Sequence, residues 1–226
     1  MTREITDLER KRLGSERIAI VGVGGAGSYI LDFVAKSAGV SDVHIFDCDT
    51  LQEHNVRRTP GPVAHGDLGS RKAAFHGKRY GVAYTTERLT TQNADGLLAD
   101  CTTVFASLGR DPVKRRIYQI CRAKGILLVH VGMGLFSPAD SQALDGVVGV
   151  TVGYPGHWDH FEKYVGLDAA AADPAVDNNQ SAELNAMNAA MAVVKWKKIR
   201  RVYRNGNEVV TRYVLRHNAM VNWPPA

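Results

Sequence analysis

The chain has 226 residues, with 28 Lys and Arg against 23 Asp and Glu for a formal charge of +5. That is long enough to bury a real core in one domain, and no apolar run approaches the roughly 18 residues of a membrane span. The charged start MTREITDLERKRLGSER has no signal-type apolar region, which gives a cytoplasmic reading. Cys48, Cys101 and Cys121 lie far apart with no CxxC pair, a pattern of neither a disulfide framework nor a zinc knuckle.

The predicted elements alternate. Residues 1–16 form an N-terminal helix, RIAIVG (17–22) a buried strand, SYILDFVAKSAG (28–39) a helix ended by Gly39, and DVHIFD (42–47) a second strand. SRKAAFHGKRYG (70–81) reads as helix, VAYTTERL (82–89) as extended, and TTVFASLG (102–109) as strand. PVKRRIYQICRAKG (112–125) is a helix from Pro112 to Gly125, and ILLVHVG (126–132) an apolar strand. This is the pattern of a Rossmann-like, doubly wound, mainly parallel sheet in an α/β fold.

After Gly134 the pattern predicts antiparallel strands in SQALDGVVGVTVGYPG, a poorly patterned stretch from 157 to 180, a helix over 181–201, and a closing strand over 208–218 after the turn at RNGN. The helix carries Leu184, Met187, Ala190 and Met191 at core spacing. The organisation expected is a single domain with a nucleotide-binding core over 17–135 and C-terminal strands and helix over 136–226.

GVGGAGS holds Gly22, Gly24, Gly25 and Gly27 between a strand and a helix, the G-x-G-x-x-G fingerprint of a nucleotide site. The first glycine makes the turn, the second admits phosphate to the backbone and the third lets the helix pack closely. An NAD-dependent oxidoreductase would also place an acid such as Asp47 after the second strand. The following stretch, FDCDTLQEHNVRRTPG, carries more: Asp47, Asp49, Asn55, Arg57 and Arg58 within a few residues. Cleaving a polyphosphate needs cations, a magnesium-holding carboxylate and hydrogen-bond donors, and these are those residue types. Strand alternation directs Asp47 and Asp49 to one side and Cys48, between them, away from the nucleotide.

GVGGAGS, the D-x-D-x(5)-N-x-x-R run of DCDTLQEHNVRR, GSRK and DPVKRR, in that order, resemble the adenylating domain of the ubiquitin-activating enzyme superfamily, with its ThiF and MoeB relatives. The resemblance spans about residues 17–135. It implies that Asp47 binds ribose with Asp49 as companion acid, that Asn55, Arg58 and Lys72 face the ATP phosphates, that Asp111 holds Mg2+, and that Arg116 joins the nucleotide site. Asp111 also suits the N-cap of the following helix.

The implied reaction is ATP-dependent adenylation of the C-terminal carboxylate of a small ubiquitin-like or sulfur-carrier protein, with release of pyrophosphate and without a general base. A homodimer is implied, with Arg3, Arg10 or Arg12 as candidates to act in trans, and any conjugating enzyme would be a separate chain. Two alternatives stay open: a carboxylate on a modified tRNA base, and an NAD-dependent oxidoreductase.

The sequence also departs from the superfamily. It has no cysteine after Cys121, so a thioester on this chain is not expected, and it lacks paired CxxC motifs, so neither is structural zinc. His157 and His160 are a close pair, read as surface or capping histidines.

Overall fold

The computed structural model describes residues 2–109, 111–139, 142–167 and 180–225. Helix α1 (Thr2–Leu13) leads into β1 (Arg17–Val21), α2 (Gly25–Ala35) and β2 (Asp42–Phe46). A four-residue helix α3 (Glu53–Val56) follows, then α4 (Lys72–Tyr80), β3 (Ala83–Thr85), the short α5 (Ala94–Leu97), β4 (Thr103–Ala106), α6 (Val113–Lys124) and β5 (Leu127–Phe136). The remainder is β6 (Asp145–Gly153), the short α7 (Phe161–Tyr164), α8 (Ala182–Ile199), β7 (Val210–Val214) and β8 (Ala219–Trp223).

One eight-stranded sheet results, in the order β3-β2-β1-β4-β5-β6-β7-β8. The pairs from β3 to β5 are parallel and those from β5 to β8 antiparallel. The chain therefore forms the α/β, Rossmann-like sheet with antiparallel C-terminal strands that its pattern predicts. Because β1 pairs with β2 on one side and β4 on the other, a crevice opens beyond their carboxyl ends, where such sheets bind ligands.

Alternation along β1 divides the core. Ile18 and Ile20 pack with α2 and α8 on one face, where the Phe105 and Trp196 rings meet edge to face at 5.9 Å. Ala19 and Val21 join the other face, with Ile117, Tyr118 and Cys121 of α6 and with Trp158 and Phe161. Buried polar ties fix α8 against the N-terminal region: Glu16 accepts from Thr103 Oγ1 at 2.5 Å and from Trp196 Nε1 at 3.1 Å, and Glu9 pairs with Lys197 at 2.6 Å.

Several expected elements differ. The helix expected from residue 28 starts at Gly25, so the glycine loop itself forms its first turn. The strand expected to end at 132 runs to Phe136 because β6 supplies an antiparallel partner along its length. The single closing strand is a hairpin: the chain leaves β7 through a 3-10 turn, and Asn218 (φ 48°) accepts from Tyr213 Oη at 2.8 Å and reverses direction into β8. On α8, Ala190 is exposed, and the buried face runs through Leu184, Asn185, Asn188, Met191 and Trp196. The poorly patterned stretch falls largely on residues 168–179, outside the described residues.

Candidate active site

The cleft at the crevice has a volume of about 600 Å3. Its base is the turn from β1 into α2. Gly22 takes φ +84°, and its amide donates to the Phe46 carbonyl at 2.8 Å, so the turn is fastened to the end of β2. A Cβ at Gly27 would lie 1.8 Å from the Gly22 carbonyl oxygen, which is the close packing that only glycine permits. A Cβ at Gly24 would meet nothing within 4 Å, leaving room for a ligand. Gly25 has a different reason: a Cβ there would meet the Asn185 carboxamide at 2.4 Å, where α8 crosses the start of α2. The first amides of α2 have no partner within the helix and attract an anion.

Asp47 is held by this loop. Its carboxylate accepts the Val23 amide at 2.8 Å and the Asp49 amide at 2.9 Å. Burial raises its pKa above the ordinary carboxylate value, opposed by the Lys72 charge and the two amides. Asp49 is exposed and pairs with Lys72 Nζ at 2.9 Å, and the Lys72 amide donates to the Asp49 carbonyl at 2.9 Å. This two-point contact seats the first residue of α4 with its ammonium in the cleft wall.

Asn55 is 4% exposed inside α3 and does not line the cleft. Its Oδ1 accepts the Gln52 amide at 2.9 Å, while its Nδ2 is buried without a partner among the described residues. Its carbonyl accepts the Arg58 amide at 3.1 Å, and Arg58 does line the cleft, with burial lowering its pKa. Arg57 is exposed.

Asp111 lines the cleft opposite the glycine loop. Its Oδ1 accepts the Val113 amide at 2.9 Å, the expected capping bond, and its Oδ2 pairs with Arg88 at 2.7 Å. Arg116 is placed elsewhere: it pairs with Asp95 at 2.7 Å and does not line the cleft. Helix geometry explains this, since at 3.6 residues per turn residues 114 and 116 of α6 lie about 160° apart in projection. Lys114, 9% exposed, is the basic residue of that run in the cleft wall, beside Asp111 and Val113.

Cys48 also departs from expectation. β2 ends at Phe46, strand alternation lapses, and the turn that Asp47 makes with the Asp49 amide brings Cys48 into the cleft wall. Burial raises its thiol pKa, which disfavours the thiolate, and raises Cys121 far more. His160 Nε2 lies 2.8 Å from the Val152 carbonyl and His157 packs on the Tyr154 ring, so this pair has structural partners. Among the described residues, no three His, Cys, Asp or Glu side chains gather to hold a metal. No helix among them is long and apolar enough to cross a membrane.

Sequence reasoning missed Arg88, Lys114, His130, Asn185 and Asn188, all in the cleft wall. Lys114 could have been found from its helical offset to Asp111. The others come from separate elements and carry no local signal. Burial, then the charges of Lys114 and Arg212, push the His130 pKa down to about 3, so its ring is neutral near pH 7.

The ThiF family model matches residues 1–195. The chain is 30% identical over 128 residues to the SAMP-activating enzyme E1 of Haloferax volcanii, a match covering 53% of this chain and 46% of that protein. It is 39% identical over 66 residues to the probable adenylyltransferase/sulfurtransferase MoeZ of Mycobacterium tuberculosis, covering 28% of this chain and 16% of that protein. The chain thus spans less than half the length of these curated relatives. Among solved structures, E. coli MccB with MccA-N7isoASN matches at a TM-score of 0.77 and 13% identity, covering 97% of this chain and 67% of that one. PaaA matches at 0.74 and 17%, covering 99% and 72%. At these identities the two structures establish the fold alone.

Proposed function

The chain belongs to the ThiF family, and from that premise we propose that its cleft uses ATP to adenylate the C-terminal carboxylate of a small ubiquitin-like or sulfur-carrier protein. The observation that carries the reading is the convergence of Arg58, Lys72 and Lys114 with the start of α2 on one cleft. Cleaving a polyphosphate needs that positive charge, and hydride transfer does not. Relatives named as an activating enzyme and an adenylyltransferase, and a neighbour solved as E. coli MccB with ATP, support the same reading.

In this mechanism an ionised carboxylate oxygen forms a bond to the α-phosphorus while the bond from that phosphorus to the β-bridging oxygen breaks, and pyrophosphate leaves with the charge. A carboxylate is already ionised at neutral pH, so no base is required. Asp47 orients the ribose and the α2 amides hold the phosphates. Arg58 and Lys72 offset the charge on the departing pyrophosphate, and Asn55, buried behind the cleft wall, acts by positioning Arg58, whose amide donates to its carbonyl.

Asp111 would hold magnesium. After Val113 and Arg88 each of its oxygens keeps a lone pair, and one carboxylate together with phosphates is a usual way to bind this ion. Bound there, magnesium would supply further neutralisation of the phosphate charge. Arg3, Arg10 and Arg12 are exposed on α1 and do not line this cleft, which suits donation to a partner's cleft in a cytoplasmic homodimer. A conjugating enzyme would be a separate chain.

The test is ATP–pyrophosphate exchange with the cognate small protein. Arg58→Ala and Asp111→Ala should each lower kcat/KM by about 10²–10³. Exchange that persists at the wild-type rate in both variants overturns the residue assignment, and tight NADH binding without ATP binding overturns the reaction class.

A further inference from the structure

The polar stretch after β2 continues past Arg58 into Thr59, Pro60, Gly61 and Pro62, none of which lines the cleft. Arg58 does line it, and one end of this residue is fixed by α3, where its amide donates to the Asn55 carbonyl at 3.1 Å. A long side chain with several rotatable bonds places its charged head only as well as the backbone beneath it is held.

The other end of Arg58 is held through Thr59. This side chain is 8% exposed, and its Oγ1 lies 3.3 Å from the Oγ of Ser28, which is fully buried. Ser28 stands in the first turn of α2, where its amide donates to the Gly24 carbonyl at 3.0 Å and its hydroxyl to the Gly25 carbonyl at 2.9 Å. A serine hydroxyl has one proton to give. With that proton committed to Gly25, Ser28 only accepts, and Thr59 is the donor. A directed relay therefore runs from Thr59 through Ser28 to the Gly25 carbonyl, joining the loop that bears Arg58 to the turn that opens α2.

The chain beyond Thr59 is stiff as well. Pro60, which is buried, restricts the Thr59 backbone to extended conformations, Gly61 turns at φ +70°, and the Pro62 carbonyl accepts Nη1 of Arg79 on α4 at 3.2 Å. Residues 59–62 are thus pinned to α2 at one end and to α4 at the other. Two apolar side chains of the same shape would hold the Thr59–Ser28 contact about as stably. What they would not supply is a bond of fixed direction and length.

We propose that Thr59 is a positioning residue for the phosphate site: its hydrogen bond to Ser28 sets Arg58 against the start of α2, so that the guanidinium reaches the same phosphates as the α2 amides. Thr59 touches neither nucleotide nor substrate and acts through Arg58. The proposal rests on the adenylation reading for what Arg58 contacts.

Titration calorimetry of the full chain with Mg·ATP tests this in the wild type, Thr59→Val, Thr59→Ser, Arg58→Ala and the Arg58→Ala/Thr59→Val double variant. Valine keeps the shape of threonine and removes the donor, so Thr59→Val should stay folded by scanning calorimetry and bind Mg·ATP about fivefold more weakly, the loss of one buried hydrogen bond. Serine keeps the hydroxyl, and Thr59→Ser should recover the affinity to within about twofold of the wild type. In Arg58→Ala the group that Thr59 serves is gone, and adding Thr59→Val should weaken binding by no more than about twofold. Wild-type affinity in Thr59→Val overturns the proposal, as do equal losses in the valine and serine variants. A loss of the same size when residue 58 is already alanine also overturns it, because Thr59 would then act on the glycine loop and not through Arg58. Failure of the wild type to bind Mg·ATP, or undiminished binding in Arg58→Ala, overturns instead the reading of the site on which the proposal rests.

Discussion

Two alanine substitutions three residues apart in the glycine loop should separate folding from nucleotide binding. At Gly27 the new Cβ would lie 1.8 Å from the Gly22 carbonyl oxygen and 3.2 Å from Ser107 Cβ. The first obstacle is backbone, which no rotamer change relieves, so α2 must move away from β1. Overpacking costs about 1–3 kcal/mol, and a backbone clash belongs at the top of that range. With about 2–4 °C per kcal/mol for a chain of this size, Gly27→Ala should lower Tm by about 6–12 °C. At Gly24 the Cβ would meet nothing within 4 Å. The fold therefore loses little there, about 2 °C or less. The methyl instead fills the approach to the first amides of α2, and ATP affinity should fall about tenfold, as for the loss of one charge-assisted hydrogen bond. Scanning calorimetry without nucleotide gives the first quantity and titration with Mg·ATP the second. Equal losses of Tm in the two variants, or unchanged ATP affinity in Gly24→Ala, would refute the division of labour.

Arg116→Ala should leave ATP affinity at the wild-type value, because the guanidinium is spent on Asp95 outside the cleft; an exposed pair of this kind contributes under about 1 kcal/mol, and a tenfold loss in titration would return the residue to the site. His76 gives a pH dependence. It is 1% exposed with both ring nitrogens unpartnered among the described residues, and burial first, then Arg79 and Lys72, push its pKa down to about 4. The unfolded chain binds this proton below about 6.5 and the folded one only below about 4, so stability falls as pH drops through that window, by up to about 3 kcal/mol. In His76→Leu the Tm-against-pH slope between pH 6.5 and 4 should be shallower than in the wild type, and an unchanged slope would assign the acid sensitivity to other groups.

What could be read from the sequence follows from how local each signal is. The strand, glycine turn and helix of residues 17–39 are one contiguous unit, and the positions of Gly22, Gly24 and Gly27 follow from a steric rule that needs no partner. Asp47, Lys72 and Asp111 stand at the ends of predicted strands or the starts of helices, so the sheet alone carries them to the crevice. Arg116 falls outside the cleft because its phase on α6 turns it away from the side that Lys114 presents. Asn185 and Asn188 were invisible for a different reason: on a helix an asparagine reads as solvent-facing, and only the crossing of α8 over the glycine loop turns that face inward. Arg88 and His130 reach the cleft from a loop and a strand whose approach depends on the whole strand order.

The change from parallel to antiparallel pairing at β5 accounts for the asymmetry of the cleft. β1, β2 and β4 all stop at the crevice, so what they present is loop and helix start: amides, Asp47, Lys72 and Asp111, chemistry suited to phosphate and sugar. β5 does not stop, because β6 continues to pair with it after β4 has ended, and the opposite wall is therefore a strand edge with its backbone turned toward the cleft. α8, fixed to the N-terminal region through Glu16 and Glu9, carries Asn188 over this wall, where its Nδ2 donates to the Gly132 carbonyl at 3.0 Å.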